Sequence, residues 1–322
     1  MCELSVDNAG LWLSAHGFQF EKLRLAELGG GISNKLVLAE GPEFRVVLKQ
    51  SLGQLRTARE WNSDRRRIFR EAAAMRWAEG VGGLRVPRLL AEDTADFTIA
   101  MEAAPAGAEM WKTQLFRGEF RTEIARAAGV ALGSMISASM NAASGQSAEA
   151  ERLFGDQTVF DELRIDPYYR YTAARCPEAA RYIGRLMERS ASRRVSLVHG
   201  DWSPKNLLVD GSKVWVIDWE VIHYGDPSFD VAFLLNHLLM KSIAMPQHRA
   251  ALKELARTFV DALGTDWAVK AALEHLPALL LARVEGKSPA EYLDTAMQRR
   301  ARAMALGLMQ RGAESAEEVF DR

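Results

Sequence analysis

The segment LVHGDWSPKNLLVDGSKVWVIDWEVIHYGDPSFDVAF, residues 197–233, constrains the fold more than any other stretch of the chain. Its apolar runs at 207–209 and 214–217 read as short strands, and Asp210-Gly211 between them is a turn signal, so the pair forms a hairpin. Around the hairpin stand His199, Asp201, Asn206, Asp218, Glu220, Asp226 and Asp230. A buried carboxylate without a partner is costly, so so many acids at strand ends need cations, hydrogen bonds or a chemical task. The hairpin returns Asp218 beside the loop that holds Asp201 and Asn206.

One potential base and two oxygen ligands then converge on a point. Phosphoryl transfer needs such a set: a carboxylate to orient the acceptor hydroxyl, and an acid plus an amide to hold Mg2+ on nucleotide phosphates.

The chain around this segment divides into two kinds of sequence. Residues 4–18 read as an amphipathic helix, and a glycine-rich loop (Gly29, Gly30, Gly31) precedes a hairpin of 35–39 and 44–49 across Gly41-Pro42. Residues 56–80 read as a helix with Ile68, Glu71, Met75 and Ala78 on one face; an acid on that apolar stripe wants a cationic partner. VPRLLAED and DFTIAMEA add two strands. Beyond about residue 104 helices are expected at 119–140, 178–192, 247–263, 267–285 and 289–311, with 141–151 a polar loop.

Composition narrows the classes. The chain has 322 residues, enough for one large domain or two lobes, and 41 lysines and arginines nearly balance 42 acids, so no basic field argues for nucleic acid or an anionic membrane. Cys2 and Cys176 cannot form a disulfide framework and fit a reducing compartment. The start MCELSVDNAGLWLSAHG lacks the pattern of a secretory signal, and no window approaches ~18 apolar residues, so a cytoplasmic protein that neither spans nor binds a membrane is expected.

HGDWSPKN, followed by VIDWE and GDPSFDVAF, resembles the aminoglycoside phosphotransferase and choline kinase family of small-molecule kinases, distant relatives of protein kinases. LKQSLGQLR and the helix after it are somewhat similar to methylthioribose kinases. The resemblance runs from about residue 25 to 233. It implies an α+β, bilobal protein-kinase-like fold, with residues 1–104 a β-rich nucleotide-binding lobe and 105–322 a mainly helical catalytic and substrate-binding lobe. It implies ATP and Mg2+ as cofactors and a small-molecule hydroxyl acceptor as partner; it leaves the oligomeric state open. Asp201 becomes the base, His199 a catalytic-loop residue that shapes it, Asn206 and Asp218 the metal ligands, and Asp230 an anchor accepting backbone hydrogen bonds. Lys49 would contact phosphates with Glu71 as its partner, while Gly30, Gly31 and Ser33 form a phosphate-covering turn. Met101 and Glu102 stand at the expected hinge beside adenine, with core packing the alternative.

GGGISN departs from the G-x-G-x-x-G of protein kinases, and Trp202 replaces a smaller apolar residue. Glu220 fits either a third metal-site acid or a structural role, and DRRR (64–67) reads as a solvated helix face. Asn236, His237 and Arg283 interrupt apolar helices; they either satisfy one another or line an acceptor site suited to a neutral or anionic metabolite. Two other functions stay open. A metal-dependent phosphohydrolase uses the same acids but leaves Lys49 and Glu71 idle, and a non-catalytic kinase-like nucleotide-binding module would be expected to lack a base or a ligand.

Overall fold

The computed structural model describes residues 3–29, 33–55, 61–140 and 145–322. Helix α1 (Val6–Ala15) buries Ala9 and Leu13 against an N-terminal sheet, meeting Val37, Ala39, Val46, Leu48 and Ala100. The sheet has five antiparallel strands in the order β1 (Arg24–Glu27), β2 (Asn34–Gly41), β3 (Phe44–Ser51), β5 (Thr98–Glu102), β4 (Leu89–Asp93). Alternation along β3 sends Val46 and Leu48 toward α1 and leaves Lys49, at 3% exposure, near its end.

Helix α2 (Arg67–Ala78) packs against this sheet, and its expected stripe of Ile68, Glu71, Met75 and Ala78 is buried. Residues 56–60 of the helix expected over 56–80 lie outside the described residues, and residues 61–66 are not helical. Asp64 diverts the chain: its carboxylate accepts from the Arg66 amide at 2.9 Å and its carbonyl from the Arg67 amide at 3.2 Å, a local turn that competes with helix. Ser63 just before it donates to Glu162 at 2.8 Å, which ties the helix entrance to the rest of the molecule.

The remainder is mainly helical. In chain order come β6 (Glu109–Met110), α3 (Trp111–Phe116), α4 (Thr122–Met140), α5 (Gln146–Phe154) and α6 (Thr158–Phe160). A π-helical stretch, Asp161–Arg170, contains Pro167, which brings no amide hydrogen to the helix ladder. Then follow α7 (Tyr171–Arg175), α8 (Pro177–Ser192), β7 (Ser196–Val198), β8 (Leu207–Asp210), β9 (Lys213–Val216) and β10 (His223–Gly225). Helices α9 (Ser228–Ala244), α10 (Arg249–Leu263), α11 (Asp266–Glu285), α12 (Thr295–Arg311) and α13 (Ala316–Asp321) complete the chain.

Two expected boundaries move. Residues expected as loop at 141–151 include the start of α5, because Ala150 and Phe154, four apart, give it a buried face. Helix α12 begins at Thr295 rather than near 289, where the Asp294 carboxylate accepts from the Met297 amide at 2.8 Å. The pairing of α4 with α10 depends on glycine: a Cβ at Gly129 would meet the Phe259 carbonyl at 2.4 Å, and one at Gly133 the Leu263 carbonyl at 2.3 Å. No helix among the described residues is long and apolar enough to cross a membrane.

Candidate active site

The loop 199–206 is held from below by α9. Asp230, in the first turn of that helix, is fully buried and accepts from the amides of His199 at 2.6 Å and Gly200 at 2.8 Å. Burial pushes its carboxyl up to about 7 against the pull of those two amides. Gly200 has φ +79°, and a Cβ there would lie 2.6 Å from the Val221 side chain, so only glycine fits.

His199 ties the loop to the end of β9. Its Nδ1 accepts from the Asp201 amide at 3.2 Å, and its Nε2 donates to the Ile217 carbonyl at 3.1 Å. Only a neutral ring protonated on Nε2 does both, and burial pushes its pKa down to about 4. Both nitrogens are spent on backbone, so His199 ties the loop to the strand beside it. Trp202, fully buried, packs edge-on against it at 5.6 Å between centroids.

Asp201 meets two cations that the sequence reading overlooked. Its Oδ2 lies 2.9 Å from the Arg164 guanidinium and 2.8 Å from the Lys205 ammonium. Burial alone would raise this carboxyl, but Lys205 and Arg164 hold it below the usual carboxylate range. Arg164, from the π-helical stretch, also donates to the Gly200 carbonyl at 2.6 Å. Asn206 donates from its side-chain Nδ2 to the Asp201 carbonyl at 3.0 Å, while its backbone carbonyl accepts from the Ile217 amide at 3.0 Å. That second bond sets Asn206 beside Asp218, the next residue after Ile217. Asp218 adopts φ 69°, ψ 59°, a left-handed conformation that non-glycine residues seldom take outside special sites.

The sheet delivers Lys49 to the same place. Its ammonium is 2.6 Å from Glu71 Oε2 and 2.6 Å from Asp218 Oδ1, with the lysine side chain 4% exposed. Burial lowers the lysine's pKa, yet Asp218 and Glu71 outweigh it and the ammonium is strengthened. For Asp218 burial acts the other way and Lys49 dominates, holding that carboxyl down.

Glu220 turns out to be occupied with structure. It accepts from Ser33 Oγ at 2.7 Å, Asn34 Nδ2 at 2.9 Å and Arg67 Nε at 3.0 Å. Arg67 is fully buried and corrects the reading of residues 64–67 as a solvated face; it also donates to the carbonyls of Ser33 (2.6 Å), Leu52 (2.8 Å), Asp64 (3.1 Å) and Ser63 (3.2 Å). Ser33 thus faces this network with both its hydroxyl and its carbonyl. Gly30 and Gly31 lie outside the described residues. Met101, 7% exposed, and Glu102 end β5 where the sheet gives way to the helical part.

Ligand atoms of Glu71, Asp218 and Glu220 lie within 4.8 Å of one another, among the described residues, close enough to hold an ion. Lys49 already answers Glu71 and one oxygen of Asp218, and Arg67 answers Glu220. The oxygens left for a hard cation are Asn206 Oδ1 and Asp218 Oδ2, and an all-oxygen set of that kind suits Mg2+.

Asn236, His237 and Arg283 do not satisfy one another. Arg283 donates to Tyr168 Oη at 3.2 Å and to the Ser288 carbonyl and hydroxyl at 2.5 and 2.9 Å, while both side-chain polar atoms of Asn236 are buried without a partner. His237 packs against the Phe233 ring at 5.2 Å.

Comparison with known proteins gives this geometry a family. A family profile described as "Phosphotransferase enzyme family" matches residues 24–273. The fold is similar to that of amicoumacin kinase hAmiN in complex with AMP-PNP, Ca2+ and its ligand, at TM-score 0.61 and 11% identity over 94% of this chain and 93% of that one. It is similar to a choline/ethanolamine kinase family protein from Mesorhizobium loti, at TM-score 0.56 and 18% identity over 97% of each chain. It is also similar to ADP-bound aminoglycoside phosphotransferase APH(2'')-Ib, at TM-score 0.55 and 16% identity over 98% and 99%. Comparison with curated protein sequences finds no match.

Proposed function

The chain belongs to the phosphotransferase enzyme family, and from that premise we propose that it moves the γ-phosphate of ATP to a hydroxyl of a small molecule. The observation that carries this is Lys49 of β3, which joins Glu71 of α2 to Asp218 across the two parts of the molecule, at 2.6 Å to each. In this reading residues 1–104 hold the nucleotide and 105–322 hold the catalytic loop and acceptor. Met101 and Glu102 lie beside adenine, and the segment with Gly30 and Gly31 covers the phosphates.

Asp201 takes the acceptor hydroxyl as a hydrogen-bond donor and receives its proton as the new P–O bond forms and the bond to the β-phosphate oxygen breaks. The two cations on Asp201 make it a weak base. That suits a loose transition state, in which the hydroxyl proton becomes acidic late and orientation matters more than basicity. Arg164 and Lys205 fix the carboxylate's direction, and Lys205, 45% exposed, would meet the transferring phosphoryl. Asn206 and Asp218 would hold Mg2+, which neutralises charge on the phosphates when bound. For Asp218 to serve, Lys49 must shift its contact toward the phosphates and keep Glu71.

The phosphohydrolase alternative gives Lys49 and Glu71 no task, and a non-catalytic module would not need an oriented Asp201. The test is ATP-dependent phosphorylation across sugars, amino alcohols, nucleosides and aminoglycosides, read as ADP formation and phosphorylated product. ATP hydrolysis with no alcohol ever phosphorylated would sink the proposal.

Lys49 and Glu71 yield a further expectation. Lys49→Ala and Glu71→Gln should each raise KM for ATP, the lysine change more, because it also releases Asp218. Groups in one ion-pair network are not additive, so the double variant should match Lys49→Ala within about twofold. Full additivity of the two losses in steady-state kinetics would show that they act apart.

A further inference from the structure

Behind the acceptor side of the catalytic loop lies a group of cations with no carboxylate assigned to them. Lys241, on α9, is 1% exposed, and among the described residues its ammonium makes a single hydrogen bond, to the His237 carbonyl at 3.4 Å. Its other neighbours are the rings of Phe116 at 5.2 Å and Tyr292 at 5.8 Å. Arg283 spends its bonds on neutral oxygens of Tyr168 and Ser288, and its Nε is buried without a partner. Asn236, 0% exposed, has neither amide atom bonded, and the Tyr292 hydroxyl is likewise unanswered. Burial pushes Lys241 down to about 7, with Lys112 and Arg283 adding to the effect and no acid opposing it.

Contacts connect this group to the reacting carboxylate. Arg164, 2.9 Å from Asp201, sits over the rings of Phe233 and Tyr168 at 5.6 and 5.9 Å. Phe233 touches His237, and Tyr168 accepts from Arg283. Helix α3, which carries Phe116, is fastened to the catalytic loop by the Lys112 amide, 2.8 Å from the Pro204 carbonyl. Only a few side chains therefore separate Asp201 from the cations.

A buried ammonium with no counter-charge, next to an orphaned amide and an orphaned guanidinium nitrogen, is unfavourable in the protein alone. A ligand oxyanion would supply the missing counter-charge. We infer, on the basis of the phosphotransferase reading, that the acceptor carries an oxyanion, a carboxylate or a phosphate, which docks against Arg283, His237, Asn236 and Lys241 while its hydroxyl faces Asp201. The same cations repel an amine-rich acceptor, so the site selects against polycations as well as for anions.

The test compares one carbon skeleton in four forms with Mg-ATP: a neutral sugar, its sugar acid, its sugar phosphate and its amino sugar. The acid or the phosphate should exceed the neutral parent in kcat/KM by about tenfold or more, and which of the two leads identifies the oxyanion. Lys241→Met and Arg283→Gln should each remove about tenfold of that advantage, mainly through KM for the acceptor. Lys241→Met should also raise Tm by about 2 °C or more, since an unpaired buried charge gives way to an isosteric apolar chain. A lysine kept for structure would lose stability instead.

Turnover led by the neutral or amino form overturns the inference while leaving the phosphotransferase reading standing. If none of the four turns over, calorimetry with malonate and with inorganic phosphate decides: saturable binding weakened about tenfold by Lys241→Met supports the inference, and none up to ~10 mM overturns it. Failure to bind Mg-ATP in a parallel titration would instead remove the phosphotransferase reading and this inference with it.

Discussion

Asp201→Ala should lower turnover by at least ~10²-fold, the size that a positioned acid or base commonly contributes. The fold should survive, because the loop is held by Asp230 through the amides of His199 and Gly200, and by His199 through Ile217, none of which uses the Asp201 carboxylate. Mg-ATP affinity should change by no more than about threefold, since Lys49, Asn206 and Asp218 are untouched. With Asp201 as the proposed base, the loss belongs in kcat, because its bond to an acceptor hydroxyl would strengthen as the proton moves. Arg164 and Lys205 are left without their acid, and the partly exposed Lys205 can turn to solvent. Single-turnover phosphorylation with saturating Mg-ATP is the measurement. A variant keeping more than a tenth of wild-type activity would remove Asp201 from the base role.

Asp218→Asn should damage the enzyme in a different place. The left-handed backbone at this residue, φ 69°, is one that asparagine tolerates and alanine does not, so asparagine isolates the charge. Loss of the charge weakens the grip on a divalent ion and releases Lys49 from one of its two acids. We expect kcat/KM for Mg-ATP to fall by at least ~10²-fold, with ATP binding in chelator changing only a few-fold. Titration of nucleotide with and without Mg2+ separates these effects. Equal losses with and without the metal would show that Asp218 acts through Lys49 alone.

Much of this site was legible because its residues lie close in sequence or on a clear period. The interval from Asp201 to Asn206 and the turn at Asp210-Gly211 place the catalytic loop and its return strand without any long-range information. Glu71 was visible as an acid on an apolar helix stripe. Arg67 had the same signal, four residues before Glu71 on the same buried face, but the run of neighbouring arginines disguised it as surface. Arg164 had no such cue. It sits in a π-helical stretch whose wider turn breaks the 3.6-residue pattern, and its partner Asp201 is far away along the chain. Lys241 was hidden for the opposite reason: as the last charge in an apolar helix it reads as a side chain snorkelling toward water, and only tertiary packing under Phe116 and Tyr292 removes that exit.

The buried Arg67 changes what the word lobe means for this molecule. A guanidinium that bonds the carbonyls of Ser33 and Leu52 on one side and the carboxylate of Glu220 on the other is a rivet between the sheet and the helical part. Removing the guanidinium strands an ionised acid in a dry place, a loss of about 3–5 kcal/mol for a pair of this kind. Opening the sheet at this end breaks that pair and both carbonyl hydrogen bonds together, which couples the sheet's unfolding to that of the helices. Heating should produce one calorimetric transition for the whole chain, and Arg67→Ala should split it into two, with the sheet denaturing first.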